Sequence, residues 1–79
     1  MSHTDFVGTL VASLVDHPDA VEVEEEAEGH TRTYFVSVAG DDVGKVIGKS
    51  GRVISAIRHV VSAVASKDRE RAFVKIVTE

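Results

Sequence analysis

The residues best equipped for chemistry sit in one run of eight, Lys45 to Arg52, which reads KVIGKSGR. It offers three cations (Lys45, Lys49 and Arg52), one hydroxyl (Ser50), and two glycines three positions apart (Gly48 and Gly51). Glycines let a backbone approach a ligand without side chains in the way, and they accept the positive φ angles of a tight turn. Cations beside them attract an anion. Such a run is suited to holding a phosphate, and two different devices hold phosphates this way.

The first is the loop of nucleotide hydrolases, which requires glycine, four residues, then Gly-Lys-Ser or Gly-Lys-Thr. Counting back from Gly48-Lys49-Ser50, the first glycine would stand at Val43, and Gly44 is one place too late. The pair Gly40 and Gly44 has the same spacing defect, and Val46 stands where a hydroxyl would hold magnesium. That loop must also follow a strand, and the chain is too short for the sheet and metal site these enzymes need. The second device is a turn between two helices. Amides at the start of the second helix point outward unpaired, and the helix dipole favours an anion there. Gly48-Lys49-Ser50-Gly51 as that turn, flanked by Lys45 and Arg52, accounts for more of the residues.

Other chemistries find little support. His3, His17, His30 and His59 lack metal-ligand spacing, and there is no cysteine to supply a thiolate. Ser50 has Arg52 where a Gly-x-Ser-x-Gly elbow needs its second glycine, and His59 has no acidic neighbour in sequence to orient it. No catalytic residue, metal or cofactor is expected.

The elements that must position the run can be read from periodicity. Phe6, Val7, Leu10, Val11, Leu14 and Val15 recur at helical spacing, with Asp5 favourable in the first turn and Ser2 a weak cap. Pro18 disfavours helix at His17, so this helix should end near Asp16. Val21 and Val23 alternate with Glu22 and Glu24 as in a half-buried strand, Gly29-His30 reads as a turn, and TRTYFVSVA supplies a second, antiparallel strand. Asp41 and Asp42 offer N-cap oxygens to a short helix over 42–48. A longer helix follows over 52–66, with Arg52, Ser55, His59, Ser62 and Ser66 on one solvent stripe. AFVKIV is a final strand.

At 79 residues the chain is expected to be one domain, 1–79. Its 43% hydrophobic and 28% charged residues are those of an ordinary globule. The opening segment lacks a basic leader and carries Asp5 ahead of its apolar run, which reads poorly as a signal peptide. No stretch approaches the ~20 apolar residues of a membrane span. Together with the absence of cysteine, this fits a cytoplasmic location. The formal net charge of −4 is unevenly spread. Residues 1–42 hold ten acidic side chains and one basic one, Arg32, for −9, and residues 43–79 hold eight basic and three acidic, for +5. A local positive field around the turn is therefore compatible with an acidic total.

The string DDVGKVIGKSGRVISAIRHVV resembles the core of a KH domain, whose signature is Ile-Gly-x-x-Gly-x-x-Ile between two helices; residues Ile47 to Ile54 match every fixed position. The element order α-β-β-α-α-β is similar to the type II KH arrangement. That resemblance implies an α+β fold, with a three-stranded mixed sheet covered on one face by three helices and the second strand parallel to the last. A stand-alone domain of this length looks most like the small bacterial KhpA family of RNA-binding proteins, regarded as RNA chaperones that work with a larger KH/R3H (Jag-like) partner. The resemblance implies that Gly48, Lys49, Ser50 and Gly51 hold the backbone of about four unpaired nucleotides of single-stranded RNA. Lys45 and Arg52 would flank them. Val46, Ile47, Val53 and Ile54 would floor a groove, though Val46 and Ile54 read equally well as core. Arg58 either extends the basic edge or is a solvated helix residue. Tyr34, Phe35 and Phe73 read better as sheet packing than as base-stacking platforms. A second copy of the chain or the KH/R3H protein is the expected protein partner. The alternative is an assembly domain with a KH fold and little RNA binding of its own. An acidic Glu22 to Glu28 is the one departure from a binding surface.

Overall fold

In the computed structural model, residues 3–77 are described. The elements run in the expected order: helix α1 (Thr4–Ala12), strands β1 (Glu22–Glu28) and β2 (Thr31–Ser37), helices α2 (Val43–Ile47) and α3 (Arg52–Ser66), and strand β3 (Arg71–Ile76). Three-residue 3-10 turns at Pro18–Ala20, Gly40–Asp42 and Lys49–Gly51 join them.

The sheet has strand order β1-β2-β3. β1 and β2 are antiparallel, Glu22 opposite Ser37 and Glu28 opposite Thr31. Gly29, with φ +61, makes the hairpin turn where the sequence placed it. β3 returns parallel to β2, with Tyr34 opposite Val74 and Val36 opposite Ile76. Side chains alternate across a strand, so Tyr34, Val36, Ala72 and Val74 point inward and are buried. They meet Val7 and Val11 of α1, Val46 of α2, and Ile54, Ile57, Val61 and Ala65 of α3 in a single hydrophobic cluster. Three helices therefore cover one face of a mixed three-stranded sheet, the type II KH arrangement. The other face carries Glu22, Glu24, Glu26 and Glu28 from β1, Thr33 and Phe35 from β2, and Arg71, Phe73 and Lys75 from β3.

α1 ends earlier than Pro18 alone would require. It stops at Ala12, the Ser13 hydroxyl donates to the Leu10 carbonyl at 2.6 Å, and Leu14 is left outside the helix and 41% exposed. Farther along, the amides of Asp16 and His17 donate to the two carboxylate oxygens of Asp42, at 3.2 and 3.0 Å. Amides held by that carboxylate cannot continue a helix. Asp42 stands at the N-cap position of α2 but makes no side-chain cap bond there; its oxygens are spent on the earlier loop, and its side chain is fully buried. Ser2 lies outside the described residues, and His3 at the N-cap position of α1 makes no side-chain cap bond.

A second polar cluster ties the far end of the sheet. The Arg32 guanidinium on β2 bridges Glu25 of β1 and Glu70 of the α3–β3 connection, the latter at 2.6 Å. Donating hydrogen bonds to these carboxylates holds Arg32 firmly protonated, and the Arg32 bond keeps the Glu70 carboxyl below the usual range. The Tyr34 hydroxyl accepts the His3 amide at 3.1 Å, and burial pushes that phenol's pKa up.

Candidate nucleic-acid interface

The turn between α2 and α3 is built from three consecutive demands on the backbone. Gly48 ends α2 at φ 77°, ψ 173°, and its amide donates to the Gly44 carbonyl at 2.8 Å. A Cβ on Gly48 would lie 2.4 Å from Val53 Cγ2 and 2.8 Å from the Val53 amide nitrogen, so no side chain fits. Ser50 then takes φ 57°, ψ 27°, a left-handed conformation uncommon for a residue with a Cβ. Gly51 follows at φ 74°, ψ 15°, and its amide donates to the Gly48 carbonyl at 3.2 Å. The chain reverses within four residues and delivers Arg52 as the first residue of α3.

α3 begins with no side-chain cap, which leaves donors at its N-terminus available to an anion. Lys49, Ser50 and Arg52 are exposed around it. Among the described residues, neither Lys49 nor Arg52 enters an ion pair. Two cations, a hydroxyl and an uncapped helix start thus converge on one exposed turn.

The other expected site residues fall into two groups. Lys45 is exposed on α2, but its Nζ lies 3.1 Å from Asp16 and 3.6 Å from Asp42. The bond to Asp16 raises its pKa and engages it within the fold. Val46 is fully buried and Ile54 is 7% exposed, both members of the core cluster. Of the two readings the sequence allowed for them, core is where the structure places them. Ile47 and Val53 are half-buried, packed against that cluster at the edge of the turn.

Beyond the turn lies a groove between α3 and the free edge of β3, lined by Ser55, Arg58, His59, Ser62, Ala72 and Phe73. Arg58 is neither a simple solvated residue nor a free cation: its Nε donates to the Val74 carbonyl at 3.1 Å. Ser62 Oγ donates to the Ala72 carbonyl at 3.3 Å. The His59 ring is within hydrogen-bond distance of the Ser55 carbonyl at 2.8 Å. The sequence shows Ser55, His59 and Ser62 as one polar helix stripe, and that stripe forms this wall. Its identity as a wall depends on where β3 packs, which no local pattern reveals. Tyr34 is fully buried, Phe35 is half-buried and Phe73 is 49% exposed.

The fold also gathers residues distant in sequence that no ligand spacing could announce. His3 Nε2 lies 3.2 Å from Asp68 Oδ2, and ligand atoms of His3, Asp68 and Glu70 lie within 4.8 Å of one another. The Arg32 guanidinium on Glu70 is a competing cation at that cluster. Among the described residues, no helix is long and apolar enough to cross a membrane.

Comparison with known proteins agrees with this architecture. The family model described as KhpA/KhpB, KH domain matches residues 4–76. A protein of Caldanaerobacter subterraneus subsp. tengcongensis named RNA-binding protein KhpA is 47% identical over 74 residues, spanning 92% of this chain and 97% of the relative. Proteins of the same name from Chlamydia pneumoniae and Halalkalibacterium halodurans are 41% and 47% identical. The first alignment spans 95% of this chain and 96% of its relative, and the second 86% and 90%. With a matched helix–turn–helix, a mixed sheet and this likeness over nearly its whole length, the chain belongs to the KhpA/KhpB family of KH-domain proteins.

Proposed function

We propose that the chain is a binding module for single-stranded RNA, gripping about four nucleotides at Gly48 to Gly51, with bases directed into the groove between α3 and β3. The observation that carries this reading is the exposed turn itself. Backbone that excludes a side chain at Gly48, the cations Lys49 and Arg52, in no ion pair among the described residues, and the uncapped start of α3 suit a sugar-phosphate backbone. The name shared by the relatives, RNA-binding protein, supports it. Lys45 contributes through its field while tied to Asp16 and Asp42. Val46 and Ile54 act from below, fixing the two helices on either side of the turn. Ile47 and Val53 contribute the apolar rim. Bound this way, RNA is held without nucleotide hydrolysis, as befits an RNA chaperone rather than an enzyme.

Replacing Lys49 and Ser50 together with Asp tests the reading. Both residues are exposed, and aspartate tolerates the left-handed conformation of Ser50 better than most residues. The folded double variant should lose at least about tenfold in affinity for unstructured RNA, since two like charges then face phosphate. Unchanged affinity in a variant with a normal melting curve would reject the loop as the site.

A protein partner is a second element of the proposal. An apolar groove between α1 and α3 is lined by Leu10, Leu14, Val53, Ala56, Ile57 and Val60. Leu14 and Val60 there are 41% and 44% exposed. This face supports pairing with a second copy or with a KH/R3H protein, and two linked turns would gain affinity through effective concentration. Should RNA titration fail, that face favours the assembly-domain reading instead. Sedimentation at rising concentration, with and without the candidate partner, distinguishes these.

A further inference from the structure

β3 is an edge strand, and three of its side chains have no role in the core. Arg71, Phe73 and Lys75 alternate along it on the sheet face turned away from the helices, and all three are exposed. Phe73 does more than face outward. It also lines the groove between α3 and β3, beside Ser55, Arg58, His59 and Ser62. A large aromatic ring, 49% exposed, thus stands where the groove meets the outer face. Neither Arg71 nor Lys75 is in an ion pair among the described residues.

The neighbouring strands define how wide this feature is. Across the sheet, Phe73 is opposite Thr33 and then Glu26, Lys75 opposite Phe35 and then Glu24, and Arg71 opposite Thr31 and then Glu28. The outer face is therefore positive and aromatic along β3 and negative along β1. A polyanion would be attracted to the first and repelled by the second, two strand spacings or about 10 Å away. A cation, an aromatic and a cation at two-residue steps of about 6.6 Å make the alternation that single-stranded nucleic-acid platforms use. The strip is one strand wide, well short of the ~800 Å² that each partner of a stable protein pair contributes.

We propose that Arg71, Phe73 and Lys75 form a second RNA contact, continuing the path from the Gly48–Gly51 turn through the groove and over the free edge of β3. Phe73 stacks on a base leaving the groove, and Arg71 and Lys75 take the flanking phosphates. The acidic row of β1 confines the strand to this edge. The proposal rests on the reading of the turn as an RNA site and extends that site beyond about four nucleotides.

The test uses fluorescently labelled oligouridylates of about four and about ten nucleotides, with the wild-type chain and with Phe73→Ala, Phe73→Trp and Lys75→Glu variants. Each variant is first shown to be folded by circular dichroism. The wild type should bind the longer oligomer more tightly. Phe73→Ala should weaken the longer oligomer about tenfold, the expected size for one stacked base, and the shorter one by distinctly less, because its bases stop inside the groove that Phe73 also lines. Phe73→Trp should restore the difference, and Lys75→Glu should flatten the salt dependence on the longer oligomer alone. Equal binding of the longer oligomer by Phe73→Ala and wild type would overturn the proposal. So would equal weakening on both lengths, or a loss that follows dissociation of a dimer in sedimentation, which would assign Phe73 to a second copy. Failure of wild type to bind either oligomer would reject the turn reading itself, and this extension with it.

Discussion

Gly48→Ala is the most stringent single test of the geometry of the turn. At φ 77°, ψ 173° the residue occupies a region open essentially to glycine alone, and a side chain there costs about 1–3 kcal/mol in backbone strain. The new methyl would also lie 2.4 Å from Val53 Cγ2 and 2.8 Å from the Val53 nitrogen. The first contact can yield if Val53 changes rotamer; the second is with the backbone of the first turn of α3 and cannot yield without moving the helix. Together these should cost about 3 kcal/mol or more, within the usual 1–3 kcal/mol for overpacking added to the strain. A domain of this length has a total stability of about 4–12 kcal/mol. At about 4–8 °C per kcal/mol, the melting temperature should fall by about 12–24 °C. Gly51→Ala provides the control, because its φ of 74° carries a left-handed cost of about 1–2 kcal/mol while its nearest neighbour, Ile54 Cγ2, is 3.9 Å away. Thermal and urea unfolding followed by circular dichroism would measure both. Adding Val53→Ala to Gly48→Ala should recover part of the loss, but not all, because the nitrogen contact remains. If Gly48→Ala melts within a few degrees of wild type, or no lower than Gly51→Ala, the argument for a side-chain-free turn fails.

Two further outcomes follow from the electrostatics. Burial opposes ionisation of Asp42, but the amides of Asp16 and His17, with His17 and Lys45 nearby, outweigh it and hold its carboxyl below the ordinary aspartate range. A depressed folded pKa means that the unfolded chain takes up the proton first, so this stability is present above about pH 4 and is lost as pH falls through the folded value. Urea unfolding at a series of acidic pH values should show a shallower decline in Asp42→Asn than in wild type, and parallel declines would refute the assignment. For RNA binding, about three or four phosphates neutralised at the turn imply a slope of log affinity against log salt of roughly −2 to −3. An affinity independent of salt in a titration series would point to a non-electrostatic partner surface.

Where local rules governed the outcome, the sequence was sufficient. Gly29 marked the hairpin, Val23 between its glutamates marked the half-buried first strand, and Gly48 and Gly51 marked the turn, because each choice is dictated by backbone conformation or two-residue alternation. What the sequence misplaced or left open involves groups claimed by distant partners. Asp42 reads locally as a helix cap, yet the loop at Asp16 and His17, some 25 residues earlier, takes its carboxylate. The same contact shortens the frame available to α1. Lys45 reads as a free cation until the fold sets it against Asp16. Val46 and Ile54 could not be apportioned between groove and core from helical phase alone, since the two surfaces lie on adjoining sides of short helices. The polar stripe of Ser55, His59 and Ser62 took on its meaning as a wall only once β3 returned alongside α3.

The two outer strands of the sheet are shielded from uncontrolled strand addition in unlike ways. On β3, the outward carbonyls of Ala72 and Val74 are already occupied by Ser62 and Arg58 of the same chain, so an incoming strand would have to displace internal bonds. On β1, the sequence EVEEEAE stacks glutamates so densely that an in-register copy about 4.8 Å away would place like charge upon like charge. The first shield is made of hydrogen bonds within the chain, whereas the second is made of charge alone and is screened by salt. Raised salt therefore weakens the protection of one edge and not of the other, and any fibrous or amorphous self-association of this chain at high ionic strength should begin at β1.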